Sequence, residues 1–332
     1  MHKPLNIRLP MVEPRHHSSS ILYGADTVIQ KYTRSFLTPR WIYGEWVHGI
    51  MYDNRHFHPY AIIGGNALNP KSPNWVTRKK DEDYLVQQGF PAKAIGAPIC
   101  YLPKIVVQYE RMPNSLLVMP AHSSHYISAY NKSKSNSVSD YVDYVISIAD
   151  QFDHVVVCLH AECIKLNLWV NEFNKKGIEV VQGASTDDLN ALERVRALMS
   201  QFEFVTSNVL GSHIAYAALY GAKVSIAGPY HQWNRDSFLN EPFYAVNEYL
   251  LDALLNDEEW ARGSLPFLFV NPKEAQLSLQ WGSQMVGLEN VISPTDMINL
   301  FKINSLNQIK HKIARHTKNL IRPFVRNFVS KT

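Results

Sequence analysis

The sequence predicts an α/β protein of two doubly wound units facing a cleft, followed by a basic amphipathic helix. Three observations carry this. From Asn114 onward, short runs rich in Val, Ile and Leu alternate with amphipathic stretches of helical period. Strands that are apolar along their whole length, separated by helices, describe a parallel sheet covered on both faces. The first hundred residues repeat the alternation more loosely, and residues 301–332 hold eight Lys or Arg and no Asp or Glu.

In the second unit SLLVMP (115–120) reads as a strand and SVSDYVDYVISIADQF (137–152) as an amphipathic helix. HVVVCLH (154–160) is a buried strand, followed by a helix over IKLNLWVNEFNKKG (164–177), with Gly177 as its C-terminal stop. IEVVQG (178–183) is the next strand. A helix over 187–202 follows, with Ser185 or Thr186 as N-cap and acidic residues in its first turn. Last come a strand over FVTS (204–207), a helix of small residues over 211–220, a stop at Gly221 and a strand over KVSIAG (223–228). In the first unit the strand candidates are SILYG (20–24), RWIYGEWVHG (40–49), AIIGG (61–65), NWVTR (74–78) and KAIGAPIC (93–100), with a helix over KDEDYLVQQG (80–89). The segment 102–113, with Pro103 and Pro113, is the crossing. This gives an α/β domain over 1–105, a Rossmann-like α/β domain over 114–300 and a tail over 301–332.

The chain has 332 residues, 46% of them hydrophobic, enough for two ordinary cores. Cys100, Cys158 and Cys163 show no CxxC spacing, which favours a reducing, cytoplasmic setting without disulfides or structural zinc. MHKPLNIRLP lacks an apolar signal core, and no window is long enough to span a membrane. The net charge of +4 belongs to the tail: removing its eight cations from 33 leaves 25 basic against 29 acidic side chains, net −4. Leu306, Ile309, Ile313, Leu320, Phe324 and Phe328 recur there at helical intervals among Lys and Arg, with Pro323 as a kink. Such a stretch suits an anionic membrane surface, or docks on the protein's own core. No nucleic-acid-reading module accompanies the charge, so no nucleic-acid partner is expected.

Ligands of two facing α/β units lie outside the carboxyl ends of the strands, so polar residues there are the site candidates. Ser207, Asn208, Gly211 and Ser212 fall where a strand hands over to a helix. Free N–H groups and the positive end of the helix dipole gather at such a junction and suit a phosphate. His213 either points at that phosphate or packs. His122, Ser123 and Ser124 follow the strand LLVMP, where they hold a phosphate or cap the next helix. His125 adds a Ser/His pairing, but no GxSxG elbow supports hydrolase chemistry. Gly183 ends a neighbouring strand. Gly228, Pro229, Tyr230 and His231 end the last one and face the same cleft, with Arg235 in reach of an anion. In EWVHGI, His48 is a candidate general base for a hydroxyl, with Glu45 orienting it or replacing it. The alternative is a buried His bonded to backbone beside a Gly turn. His56 and His58 have the spacing of a metal pair but no third ligand, so no metal is expected.

Taken together, EWVHGI, DYLVQQGFPAKAIGAPICY and TSNVLGSHIAYAALYGAKVSIAGPY resemble GT-B-type glycosyltransferases of bacterial capsule and lipopolysaccharide synthesis. EWVHGI is similar to the W-H-G segment of polymer transferases with CDP- or CMP-linked donors, such as teichoic-acid glycerophosphotransferases and capsular Kdo transferases. The resemblance assigns acceptor activation to His48 and donor-phosphate binding to the 206–230 segment. It implies a nucleotide-sugar donor as substrate, no cofactor, a saccharide or lipid-linked acceptor, and a place at the inner face of the bacterial membrane. No DxD motif stands in a suitable loop, which agrees with metal-independent transfer. The paired glutamates of many retaining GT-B enzymes are not recognisable, and SNVLGSH stands where the glycerophosphate group has Ser-Ser. A nucleotide-sugar epimerase or hydrolase, or a non-catalytic nucleotide-binding partner, fits the same frame.

Overall fold

The structure is a computed structural model. It describes residues 7–14, 22–36, 38–39, 41–47, 49–50, 52, 59, 62, 71–103, 109–122, 136–232, 251–252, 255 and 257–303. His48, His56, His58, Ser123, Ser124, His125, Arg235 and the tail from 304 lie outside the described residues.

The first unit opens with helix α1 (Ala25–Thr33) and carries strands β1 (Glu45–Trp46), β2 (Asn74–Val76) and β3 (Ala92–Ala94). They pair in parallel in that order, and helix α2 (Lys79–Gln87) makes the crossover from β2 to β3. Asp81 and Glu82 sit in the first turn of α2, where carboxylates complement the helix dipole. Asp81 also accepts from Arg78 Nε and Nη2 at 2.9 and 2.8 Å, in an ion pair whose side chains are each only 5% exposed.

The second unit is one parallel sheet of β4 (Met112–Val118), β5 (His154–Leu159), β6 (Glu179–Gln182), β7 (Phe202–Ser207) and β8 (Lys223–Ile226), in the order β6-β5-β4-β7-β8. The continuous apolar runs are explained by two cores on opposite faces. Leu116, Val118, Val155, Val157 and Phe204 enter one core, and Leu117, Val156, Cys158, Val205 and Val224 enter the other. That is the period of two expected of a strand buried on both sides. Helix α3 (Asn136–Ala149) covers the first face with Tyr141, Val142, Val145 and Ile148, joined by the short helices α4 (Ala161–Lys165) and α5 (Val170–Lys175). Helices α6 (Ala191–Gln201) and α7 (Ser212–Leu219) cover the second. The α/β class and the parallel sheet covered on both faces are therefore as the sequence predicts, but β6, which Gly183 ends, is an edge strand separated from β7 by β5 and β4 rather than its neighbour.

Three expected elements differ. The described end of SILYG is no strand: Tyr23 and Gly24 take left-handed φ of 58° and 74° and lead into α1. Tyr23 N–H is held by Thr186 O at 3.0 Å, so the second unit fixes this turn. The helix expected over 164–177 breaks in two. Asn167 is left-handed, Leu168 N–H bonds Cys163 O at 2.8 Å and Asn167 N–H bonds Ile164 O at 3.0 Å. This six-to-one and five-to-two closure ends α4 and lets Trp169 turn into the core, where it is 2% exposed. The helix expected from 187 starts instead at Ala191. Asp188 Oδ1 accepts from Glu13 N–H at 2.9 Å and Asn190 N–H at 3.0 Å, while Ser185 donates to Asp187 rather than capping. A long-range contact with residues 7–14 thus takes the first turn away from the helix.

Helices α8 (Asp257–Ser264), α9 (Leu279–Met285) and α10 (Pro294–Phe301) complete the described chain. Phe301 returns to the first sheet, packing on Trp46 at 5.3 Å and Trp75 at 5.7 Å between ring centroids. Helix α9 lies on α7, whose Ala215, Ala217 and Ala218 are fully buried. The approach is so close that a Cβ at Gly282 would stand 2.6 Å from Leu219 N and 2.9 Å from Ala218 C. Both are backbone atoms and cannot rotate aside. Gly282→Ala is expected to lower stability by about 1–3 kcal/mol through overpacking, read by urea unfolding. Among the described residues no helix is long and apolar enough to cross a membrane.

Candidate functional site

All five strands of the large sheet point the same way, so their carboxyl ends share one edge. His122 follows β4, His160 follows β5, Gly183 follows β6, the 207–213 turn follows β7 and His231 follows β8. Gly183 is shaped by packing there. A Cβ would meet Cys158 Sγ at 2.4 Å, and its N–H donates to Leu159 O at 2.8 Å.

The turn after β7 is held from within. Ser207 is fully buried and its Oγ accepts from Val209 N–H at 3.2 Å. Asn208, 1% exposed, takes Ala121 N–H on its Oδ1 at 2.9 Å, and its carbonyl takes His231 N–H at 2.7 Å. Tyr230 OH accepts from Leu210 N–H at 3.1 Å and donates to Asp257 Oδ2 at 2.8 Å. Ser207 and Asn208 therefore set the shape of the turn and its register against β4 and β8. Helix α7 begins after Gly211, which supplies no side-chain cap; within its first turn Ile214 N–H donates to Gly211 O at 3.0 Å.

The end of EWVHGI, with Tyr52 just beyond it, lies directly on that helix start. Ile50 N–H donates to Ser212 Oγ at 3.0 Å, and Tyr52 OH donates to Gly211 O at 3.2 Å. Tyr52 also stacks on Trp281, with centroids 6.1 Å apart and planes 13° from parallel. The two motifs, more than 150 residues apart in sequence, thus meet at the start of α7. His48 itself is outside the described residues. Glu45 is half-buried on β1, and desolvation raises its carboxyl to about 7, into the range of a general acid or base.

Histidines from four strand ends converge at the same edge. His122 stacks on His160 at 4.9 Å with planes 25° apart. Burial first and the nearby His122 second lower His160 to about 4, His213 to about 3 and His231 to about 4. All three imidazoles are consequently neutral at pH 7. His160 Nδ1 accepts from Glu162 N–H at 3.2 Å, which places the ring proton on Nε2. Among the described residues that buried Nε2–H has no partner, and nor has His213 Nε2. Among the described residues no three His, Cys, Asp or Glu side chains are grouped as a metal ion requires. The arrangement can donate hydrogen bonds to an oxygen-rich ligand without adding a proton charge. His160 escaped the sequence-based selection, although it is the first polar residue after the apolar strand HVVVCL.

Fold and site together define a Rossmann-like α/β protein with a polar, histidine-lined edge at the carboxyl end of its large sheet. No family model and no curated protein matches the sequence. Among solved structures, the chain is similar to a Listeria monocytogenes protein provisionally identified as a UDP-N-acetylglucosamine 2-epimerase. The two are 11% identical with a TM-score of 0.38, over 78% of this chain and 74% of that one. A likeness so slight decides neither family nor reaction.

Proposed function

We propose that this chain is an enzyme acting on a nucleotide sugar, with the donor phosphate at the start of α7. Ser212, the N–H groups of the first turn and the His160 and His213 imidazoles would hold that phosphate, beside His122, Ser123 and Ser124. Glu45, with His48, would form the acid–base side. The observation that supports this best is the pair of hydrogen bonds from Ile50 and Tyr52 to Ser212 and Gly211, because it sets EWVHGI against the phosphate-ready turn.

The reaction we infer is metal-independent transfer of the sugar to a surface-polysaccharide acceptor. Glu45 or His48 takes the proton of the acceptor hydroxyl, while helix dipole and neutral N–H donors stabilise the leaving phosphate. In this reading the basic tail holds the enzyme at an anionic membrane. A second reading, a nucleotide-sugar epimerase or hydrolase, is favoured by what the described residues contain. They form a phosphate side and one carboxyl poised near neutrality, which that chemistry also uses. The tail, which only the transferase reading needs, lies outside them.

Thermal unfolding with CMP, CDP, UDP and GDP tests the shared part of both readings. At a hundred times its Kd, the correct nucleotide is expected to add about 2.7 kcal/mol of apparent stability. His160→Ala, which deletes one donor, is expected to weaken binding roughly tenfold. No shift with any nucleotide would remove the donor site. The readings separate on incubation with the corresponding nucleotide sugar alone. Epimer or free sugar formed without acceptor selects the second, and turnover only with a saccharide acceptor selects the first.

A further inference from the structure

A second site is marked by an arginine. Among the described residues, the other buried or half-buried arginines, Arg78, Arg111 and Arg194, each make three hydrogen bonds. Arg111 donates to the carbonyls of Met199, Phe202 and Tyr220, and Arg194 donates to those of Pro10, Gln182 and Gly183 and lies 3.8 Å from Asp188. Arg196, two positions further along α6, is 9% exposed and behaves differently. Its Nη1 donates to Pro103 O at 2.6 Å, its Nε is buried without a partner, and no carboxylate pairs with it among the described residues. A guanidinium stays charged and offers five N–H groups, and this one holds a buried Nε–H with no partner among the described residues.

Beside it opens a cavity of about 220 Å³, with apolar walls from Ile99, Leu102, Pro103, Leu219 and Leu288. The two other polar groups on its wall are already engaged: Tyr220 OH donates to Ile99 O at 3.3 Å and Cys100 Sγ to Val286 O at 3.4 Å. The cavity therefore presents one cation in an otherwise satisfied apolar shell. It lies at the C-terminal end of α7, about 12 Å along the helix from the phosphate-ready turn at 1.5 Å per residue.

We propose that this cavity binds a monocarboxylic acid with a compact apolar body, its carboxylate paired with Arg196. The planar fork of a guanidinium matches a carboxylate in two parallel hydrogen bonds. Phosphate would bring a second charge that finds no partner here. An apolar cavity of about 150 Å³ takes up benzene, so this one has room for a body of about six carbons with its carboxylate. The site is independent of the nucleotide-sugar reading.

Titration calorimetry of the full chain with hexanoate, 1-hexanol and inorganic phosphate tests it. Saturable hexanoate binding is expected, at least tenfold tighter than 1-hexanol, with no binding of phosphate. Arg196→Gln is expected to weaken hexanoate at least tenfold. Leu288→Trp, at a position 44% exposed, should fill the cavity mouth without disturbing the core and abolish binding. Should Arg196→Gln fail to fold, the Leu288 variant decides the matter. Absence of hexanoate binding at millimolar concentration, equal affinity for hexanoate and hexanol, phosphate binding as tight as hexanoate, or wild-type binding by Leu288→Trp would each overturn the proposal.

Discussion

Glu45→Gln is expected to reduce turnover by about 10²–10⁴-fold, the contribution usual for a positioned general acid or base. The substitution keeps the shape of the side chain and removes its titration. Because burial raises the folded-state carboxyl to about 7 from an ordinary 4.5, the wild-type rate should rise with pH through about 7 if Glu45 acts as the base. A rate limited by His48 instead would survive Glu45→Gln and vanish in His48→Ala. Stability moves the other way. The folded state holds the Glu45 proton between about pH 4.5 and 7 while the unfolded state has lost it, so this group's contribution falls as pH rises through that window. Glutamine carries no such penalty, and Glu45→Gln should unfold at the same temperature as wild type or higher above pH 7. Loss of activity with retained stability marks a chemical role. Loss of both would mean that the carboxyl is a packing group, and the acid–base assignment would fail.

Much of this architecture is legible in the sequence because local pattern and tertiary burial agree. The β5 and β7 runs are apolar on both faces since both faces are covered, and Gly211 and Gly221 bracket α7 where a helix of small residues must start and stop. Legibility ends where distant residues decide. Asp188 reads as the first turn of a helix until Glu13 takes its carboxylate, and Tyr23 reads as strand until Thr186 turns it left-handed. The break at Asn167 is driven by the burial of Trp169, which helical periodicity does not reveal. The site shows the same division. Ser212 and Gly211 are found from the strand-to-helix junction, but their contact with Ile50 and Tyr52 depends on how the two sheets meet. Ser207 and Asn208 are polar residues in the expected place whose side chains face inward to hold the turn. His160 becomes conspicuous only once the parallel sheet brings four strand ends together.

The same meeting of sheets makes the Arg78–Asp81 pair the place where a small change should cost most stability. Asp81→Ala is expected to destabilise the fold by about 3–5 kcal/mol, since it removes both carboxylate bonds from a guanidinium that is nearly fully buried. Against a usual total of about 5–15 kcal/mol, that is enough to leave a measurable unfolded fraction. The loss should reach the candidate site as well. Arg78 also donates from Nη1 to Met285 Sδ at 3.7 Å, and its charge is felt at Tyr52, the residue that bonds Gly211. Loosening Arg78 therefore loosens α9 and the clasp on α7 together. Asp81→Ala should weaken nucleotide binding even at temperatures where the protein remains folded. The double variant Arg78→Met with Asp81→Leu separates charge from packing. Replacing a buried ion pair with apolar side chains is often neutral or stabilising, so the double variant should recover most of the loss in urea unfolding. A single-variant loss below about 1 kcal/mol would place this pair with the exposed ones, whose removal typically costs 0–1 kcal/mol. A double variant as unstable as Asp81→Ala would mean that the carboxylate acts through the α2 dipole rather than through Arg78.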